Sequence, residues 1–85
     1  MNPIYKYALQ EAPNYYGSVT NVRAGKILFV AEQDGILHAW VEVDASTNAL
    51  QKLRVFATGE KVDASQEHVG SAKVGPFVWH VYKQV

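Results

Sequence analysis

Lys26-Ile27-Leu28-Phe29-Val30-Ala31-Glu32-Gln33 meets Ile36-Leu37-His38-Ala39-Trp40-Val41-Glu42-Val43-Asp44 across Asp34-Gly35. This stretch decides the fold. Both runs are rich in β-branched and aromatic side chains, which suit a pleated surface. A two-residue Asp-Gly loop between such runs predicts a type I′ hairpin, because both central residues need positive φ. That turn sets a register. Gln33 opposes Ile36, Ala31 opposes His38, Phe29 opposes Trp40, and Ile27 opposes Glu42. On the other face Glu32 opposes Leu37, Val30 opposes Ala39, Leu28 opposes Val41, and Lys26 opposes Val43. One face then carries Ile27, Phe29, Ala31, Ile36, His38 and Trp40. The other carries Leu28, Val30, Leu37, Ala39, Val41 and Val43. Both are largely apolar. Either both are buried in a closed barrel or sandwich, or the aromatic face is an oligomer interface or ligand surface.

Working outward, Arg23-Ala24-Gly25 reads as a turn. Residues 15–22 read as a short or irregular strand interrupted by Gly17, and Pro13-Asn14 as a break. Residues 4–9 alternate, with Tyr5, Tyr7 and Leu9 on one side. Beyond the hairpin, residues 45–49 form a polar connection. Residues 50–58 alternate again, with Leu53, Val55 and Ala57 on one side and Lys52, Arg54, Phe56 and Thr58 on the other. Gly59 and residues 63–67 form a loop. Residues 68–74 are a short strand weakened by Gly70, and Gly75-Pro76 is a turn. In the last strand, residues 77–85, Phe77, Trp79, Val81 and Val85 share one face. Val78, His80, Tyr82 and Gln84 take the other. A helix over residues 44–56 has Leu50, Leu53 and Phe56 spaced by three, but Val55 and Phe56 favour a strand. The expectation is an all-β protein: a small antiparallel β sandwich or barrel of about six or seven strands, with little or no helix, forming one domain over residues 1–85.

Composition narrows the function classes. The 85 residues include no cysteine, and eight basic residues balance eight acidic ones. At 48% hydrophobic and 12% aromatic, the chain has enough apolar material to fold rather than stay disordered. No apolar run approaches the ~18 residues of a membrane span. Residues 1–10 show no apolar core or small-residue cleavage pattern of a signal peptide. The expected location is therefore the cytoplasm. Disulfides and thiolate metal sites are excluded. Lys6, Arg23, Lys26, Lys52, Arg54, Lys61, Lys73 and Lys83 are spread along the chain, so an electrostatic nucleic-acid groove is not expected. Weak single-stranded binding by sheet aromatics ranks last among the binding readings. A domain this small buries only about 60–65% of its unfolded surface. Self-association, with a dimer favoured, is the expected remedy once disulfides are excluded.

Five segments carry a family resemblance. They are Arg23-Ala24-Gly25-Lys26-Ile27-Leu28; Ala39-Trp40-Val41-Glu42-Val43-Asp44; Arg54-Val55-Phe56-Ala57-Thr58-Gly59-Glu60-Lys61-Val62; His68-Val69-Gly70-Ser71; and Phe77-Val78-Trp79-His80-Val81-Tyr82. In this order, and with Ile4-Tyr5-Lys6-Tyr7 at the start, the chain resembles a family of small proteins of unknown function from tailed-phage and bacterial genomes. That family shows a K-G-A-x-I-L opening, W-A-L-V-D, F-G-T-G-H-P-I, and Y-I-G-T … V-W-H-V-F. Glu60-Lys61 stands where the family tends to show His-Pro, and Ala57 replaces a glycine. No histidine of that segment is therefore carried over. The resemblance implies a phage or mobile-element origin and action in a bacterial host cytoplasm. It also implies an inhibitor or ligand-sequestering role against host machinery or defence.

Candidate residues follow from chemistry. His38, His68 and His80 show no metal-ligand spacing, so neither a metal nor a cofactor is expected. No Ser, His and Asp set is local in sequence, no G-x-S-x-G occurs, and no catalytic residue is nominated. Binding rather than catalysis is the expectation. Phe29, His38, Trp40, Trp79 and Tyr82 are the aromatic candidates for a partner or ligand. Thr58, Gly59 and Lys61 with Arg54 form the candidate polar loop, where backbone N–H groups and cations suit a phosphate or carboxylate. Two mechanisms stand open. In one, an oligomer inhibits a host protein through the aromatic sheet face. In the other, it traps a small anionic, nucleotide-like ligand between protomers, by stacking on Trp40, Trp79 or Tyr82 and holding phosphate with Arg54 and Lys61.

Overall fold

The computed structural model describes residues 1–9 and 18–85. The break at Pro13-Asn14 and the first part of the strand expected from residue 15 lie outside them. Seven strands follow in order: β1 (Ile4–Ala8), β2 (Ser18–Arg23), β3 (Gly25–Gln33), β4 (Ile36–Val43), β5 (Leu50–Ala57), β6 (Gln66–Val74) and β7 (Phe77–Gln84). They form two antiparallel sheets, one ordered β1-β4-β3 and the other β2-β5-β7-β6. Between sandwich and barrel, the chain forms the sandwich. No helix occurs among the described residues, and residues 50–57 are strand.

The hairpin turn is as its chemistry demands. Asp34 and Gly35 both have positive φ, 55° and 79°. From that turn the pairing runs through Gln33–Ile36, Ala31–His38 and Phe29–Trp40. It then departs from simple alternation. Leu28 is an extra residue, and the ladder resumes as Ile27–Val41, Lys26–Glu42 and Gly25–Val43. A bulge places two residues of one strand against one of its partner and reverses the facing of everything beyond it. Ile27 therefore packs against the core, and Leu28 is exposed. The expected opposition of Ile27 to Glu42, of Leu28 to Val41 and of Lys26 to Val43 is overturned by this one inserted residue.

The inner face of β4 supplies Leu37, Ala39, Val41 and Val43 to the core. Val22, Leu53, Val55, Val74, Trp79 and Val81 meet them from the other sheet, and Leu9 joins them. The alternation read in β5 and β7 holds, since Leu53, Val55, Trp79 and Val81 all face inward. Trp79 is 6% exposed, so it is core and not a surface platform.

The chain passes between sheets at Arg23-Ala24-Gly25. Backbone bonds from Ala24 N to the Ala49 carbonyl and from Asp44 N to the Ala24 carbonyl, both 2.9 Å, hold the corner. Gln51 Nε2 donates to the carbonyls of Arg23 and Gly25 at 3.0 and 3.1 Å. Gly25 has φ of 154°, and a β-carbon there would collide with the Glu42 carbonyl. The corner thus admits only glycine. The Cα trace spans 38 × 30 × 15 Å, so the slab presents two broad outer faces.

Candidate functional site

The first outer face belongs to β1-β4-β3. Cross-strand register places Ile4, Lys6 and Ala8 beside Glu42, Trp40 and His38, with Phe29 and Ala31 on the far side. Phe29 and Trp40 stack with centroids 4.5 Å apart and planes 3° apart. Ile4, Phe29 and Ile36 are 59%, 51% and 46% exposed. His38 Nδ1 lies 2.9 Å from the Ile36 carbonyl. Donation there fixes the proton on Nδ1 and leaves Nε2 as the acceptor. Lys6 Nζ reaches across β4 to Gln33 Oε1, and Lys26 stands opposite Glu42. The face is an aromatic and aliphatic patch carrying charges of both signs.

The second outer face belongs to β2-β5-β7-β6. Phe56 points away from the core, yet it is only 5% exposed. Tyr82 packs edge-on against it at 5.4 Å, and Val62 of the loop after β5 lines both hollows beside it. That loop is closed by its own hydrogen bonds. Glu60 Oε1 accepts from Ala57 N at 2.8 Å. Asp63 accepts from the amide and hydroxyl of Ser65. The Ser65 hydroxyl, then its amide, and more weakly the Arg54 charge, hold the Asp63 carboxyl below its usual value of 3.8. Gly59 turns the chain at φ 97°, and the space beside it is open.

Two hollows flank this loop. The larger, about 460 Å³, is lined by Arg54, Phe56, Lys61, Asp63, Gln66 and Gln84 among others. The smaller, about 200 Å³, is lined by Phe56, Thr58, Gly59, Glu60, His80 and Tyr82 among others.

Beside the smaller hollow a polar row runs from the turn after β5 across β7 to β6. Thr58 Oγ1 lies 2.9 Å from His80 Nε2 and 3.4 Å from the Val78 carbonyl. His80 Nδ1 is 2.8 Å from Ser71 Oγ, which is 2.9 Å from His68 Nε2. One neutral proton arrangement satisfies every member. Thr58 donates to Val78 and accepts from His80 Nε2–H. His80 Nδ1 accepts the Ser71 proton, and Ser71 accepts from His68 Nε2–H. Ser71 thereby has a base at its hydroxyl proton, the local arrangement of an activated hydroxyl. Ser71 is exposed on an open sheet face, where bulk water competes for any electrophile. Among the described residues no group of three or more His, Cys, Asp or Glu side chains is placed to hold a metal ion.

The structure distributes the nominated residues over three places. Arg54, Thr58, Gly59, Lys61 and Tyr82 gather around the loop after β5. Phe29, His38 and Trp40 lie on the opposite face of the slab. Trp79 is in the core. Within one chain, therefore, Trp40, Trp79 and Arg54 do not converge on one ligand. Sequence reasoning missed the association of His68, Ser71 and His80 because His68 and Ser71 are three apart. Simple alternation puts such a pair on opposite faces. A second bulge, with Val69 as the extra residue between the Tyr82 and Val81 pairings, brings both to the outer face. Gly70, the strand-interior glycine, is the signal that marks such a bulge.

These features define a seven-stranded antiparallel sandwich with an exposed aromatic patch on one face and a loop-flanked polar surface on the other. No helix among the described residues is long and apolar enough to cross a membrane. The chain belongs to the family described as Domain of unknown function (DUF7352), whose pattern matches residues 1–85. No curated protein and no solved structure matches the chain.

Proposed function

We propose that this protein acts by binding rather than by catalysis, and that the outer face of β1-β4-β3 seats a second copy of the same chain. The observation that carries this reading is the stacked Phe29–Trp40 pair among exposed Ile4, Leu28 and Ile36. A contiguous apolar patch of this kind on a small protein calls for a cover. Charge complementarity favours self-pairing. The face bears Lys6 and Lys26 together with Glu42, so a two-fold axis near Trp40 sets cations of one copy toward the carboxylate of the other. A net charge of zero places no long-range repulsion between copies.

Strands of five, nine and eight residues give a footprint of about 350 Å² per copy, or about 700 Å² for the pair. That is below the ~1,000 Å² of a stable interface, so the dimer is a weak, reversible one. Native mass spectrometry and sedimentation over a concentration series test it. The wild type should shift from monomer to dimer as concentration rises, and Trp40→Lys should remain monomeric. A wild type that is monomeric throughout refutes self-pairing. Capture of one host protein by that monomer, lost in Trp40→Lys, would assign the face to a heterologous partner instead.

A further inference from the structure

The larger hollow on the other face offers a site of different chemistry. Its rim carries two cations, Arg54 on β5 and Lys61 in the loop, and one carboxylate, Asp63. That carboxylate is already engaged by the Ser65 hydroxyl and amide. Glu60, the next acid along the loop, is turned back to the Ala57 amide. Among the lining residues the two cations still outnumber the one ionised carboxylate, and Lys61 has no hydrogen-bond partner among the described residues. The lining therefore carries a surplus of positive charge. The opposite wall is made by the amide side chains of Gln66 and Gln84, which face each other across β6 and β7. Amides both donate and accept, so they suit a neutral polar body rather than a second charge. Phe56 and Val62 supply an apolar floor. About 460 Å³ is within the usual range of small-molecule sites.

We infer that this hollow binds a phosphorylated small molecule of about nucleotide size, with its phosphate on Arg54 and Lys61 and its polar body against Gln66 and Gln84. Arg54 is the geometric anchor, because a guanidinium meets a phosphate through two parallel N–H bonds, and Lys61 adds a point charge. All these residues come from one chain, so occupancy does not require the opposite face to be paired. The site is therefore independent of the dimer proposed above, and each can fail without the other.

The test is a titration of the full chain with adenosine 5′-monophosphate, followed by backbone amide NMR and by calorimetry. Adenosine and inorganic phosphate are run in parallel. Shifts should concentrate on Arg54, Phe56, residues 61–66 and Gln84. Lys61→Met should raise the Kd at least 5-fold. Lys52→Met, which removes a cation of β5 outside the hollow, should leave it within 2-fold. Raising salt from 50 to 200 mM should weaken binding. Adenosine should bind at least 10-fold more weakly than the monophosphate, and inorganic phosphate likewise.

Absence of shifts at 5 mM monophosphate overturns the inference, as do shifts confined to other parts of the chain. Equal losses from Lys61→Met and Lys52→Met would show only diffuse attraction to charge and would also overturn it. Inorganic phosphate binding as tightly as the nucleotide would remove the role assigned to Gln66 and Gln84.

Discussion

Gly70→Ala is the sharpest probe of how the two sheets meet. Gly70 faces inward from β6, opposite Val81, and β3 packs over β6. A β-carbon at Gly70 would sit 2.5 Å from Val30 Cγ2, with Val30 Cβ and Cγ1 at 3.5 and 3.6 Å. Ordinary carbon contacts are about 3.5–4.0 Å, so about 1 Å must be recovered. Valine has one stiff torsion and cannot swing its methyl aside cheaply. Gly70 is not among the positive-φ glycines, so its backbone accepts alanine and the obstacle is packing alone. Overpacking of this kind costs about 1–3 kcal/mol. Loss of glycine's unfolded-state freedom offsets about 0.4–1 kcal/mol of it. The expected net effect is a destabilisation of about 1–2 kcal/mol, or a fall of about 5–15 °C in Tm for a domain of this length. Urea denaturation followed by tryptophan fluorescence reads it directly, since Trp79 is in the core. The cycle with Val30→Ala isolates the clash. The double variant should be about 1–2 kcal/mol more stable than the sum of the single effects predicts. Gly70→Ala as stable as the parent, or single effects that simply add, would refute the close approach of these two strands.

Two further outcomes follow from the bulges and the polar row. Ile27→Ala should cost about 1.5–3 kcal/mol because Ile27 packs on the core, while Leu28→Ala should stay within about 1 kcal/mol. The reverse order in thermal melts would restore the unbulged hairpin. Nitrogen NMR of the neutral imidazole should find the His80 proton on Nε2 and the Ser71 hydroxyl donating to Nδ1. A proton on Nδ1 of His80 would reverse the direction drawn from Thr58 to His68.

Much of the fold was legible in local pattern. The Asp34-Gly35 turn, the alternation of Leu53, Val55 and Ala57, and the facing of Trp79 and Val81 all follow from turn chemistry and period-two alternation. The misreadings of register share one cause. Alternation carries no marker for a skipped residue, so the extra Leu28 was invisible until its strands were paired, and only Gly70 pointed to the extra Val69. One of these bulges exchanged Ile27 and Leu28 between core and surface. The other created the His68–Ser71–His80 row. The candidate loop after β5 was legible, because its glycine, cations and hydroxyl adjoin one another in sequence. The side chains across from it were not, because Gln66, Gln84 and His80 arrive only through pairing of distant strands.

The bulges also bear on a hazard that a small, neutral, strand-rich chain faces. β3 and β6 are edge strands of their respective sheets. An unbroken edge exposes a row of backbone donors and acceptors that another chain can extend, copy after copy, into a fibril. The extra residue in each strand breaks the spacing of that row. Lateral strand addition is thereby discouraged at one edge of each sheet, while the flat Phe29–Trp40 face stays available. A contact through that face closes on itself once two copies have met. The same inserted residues that misled simple alternation would therefore help keep association finite.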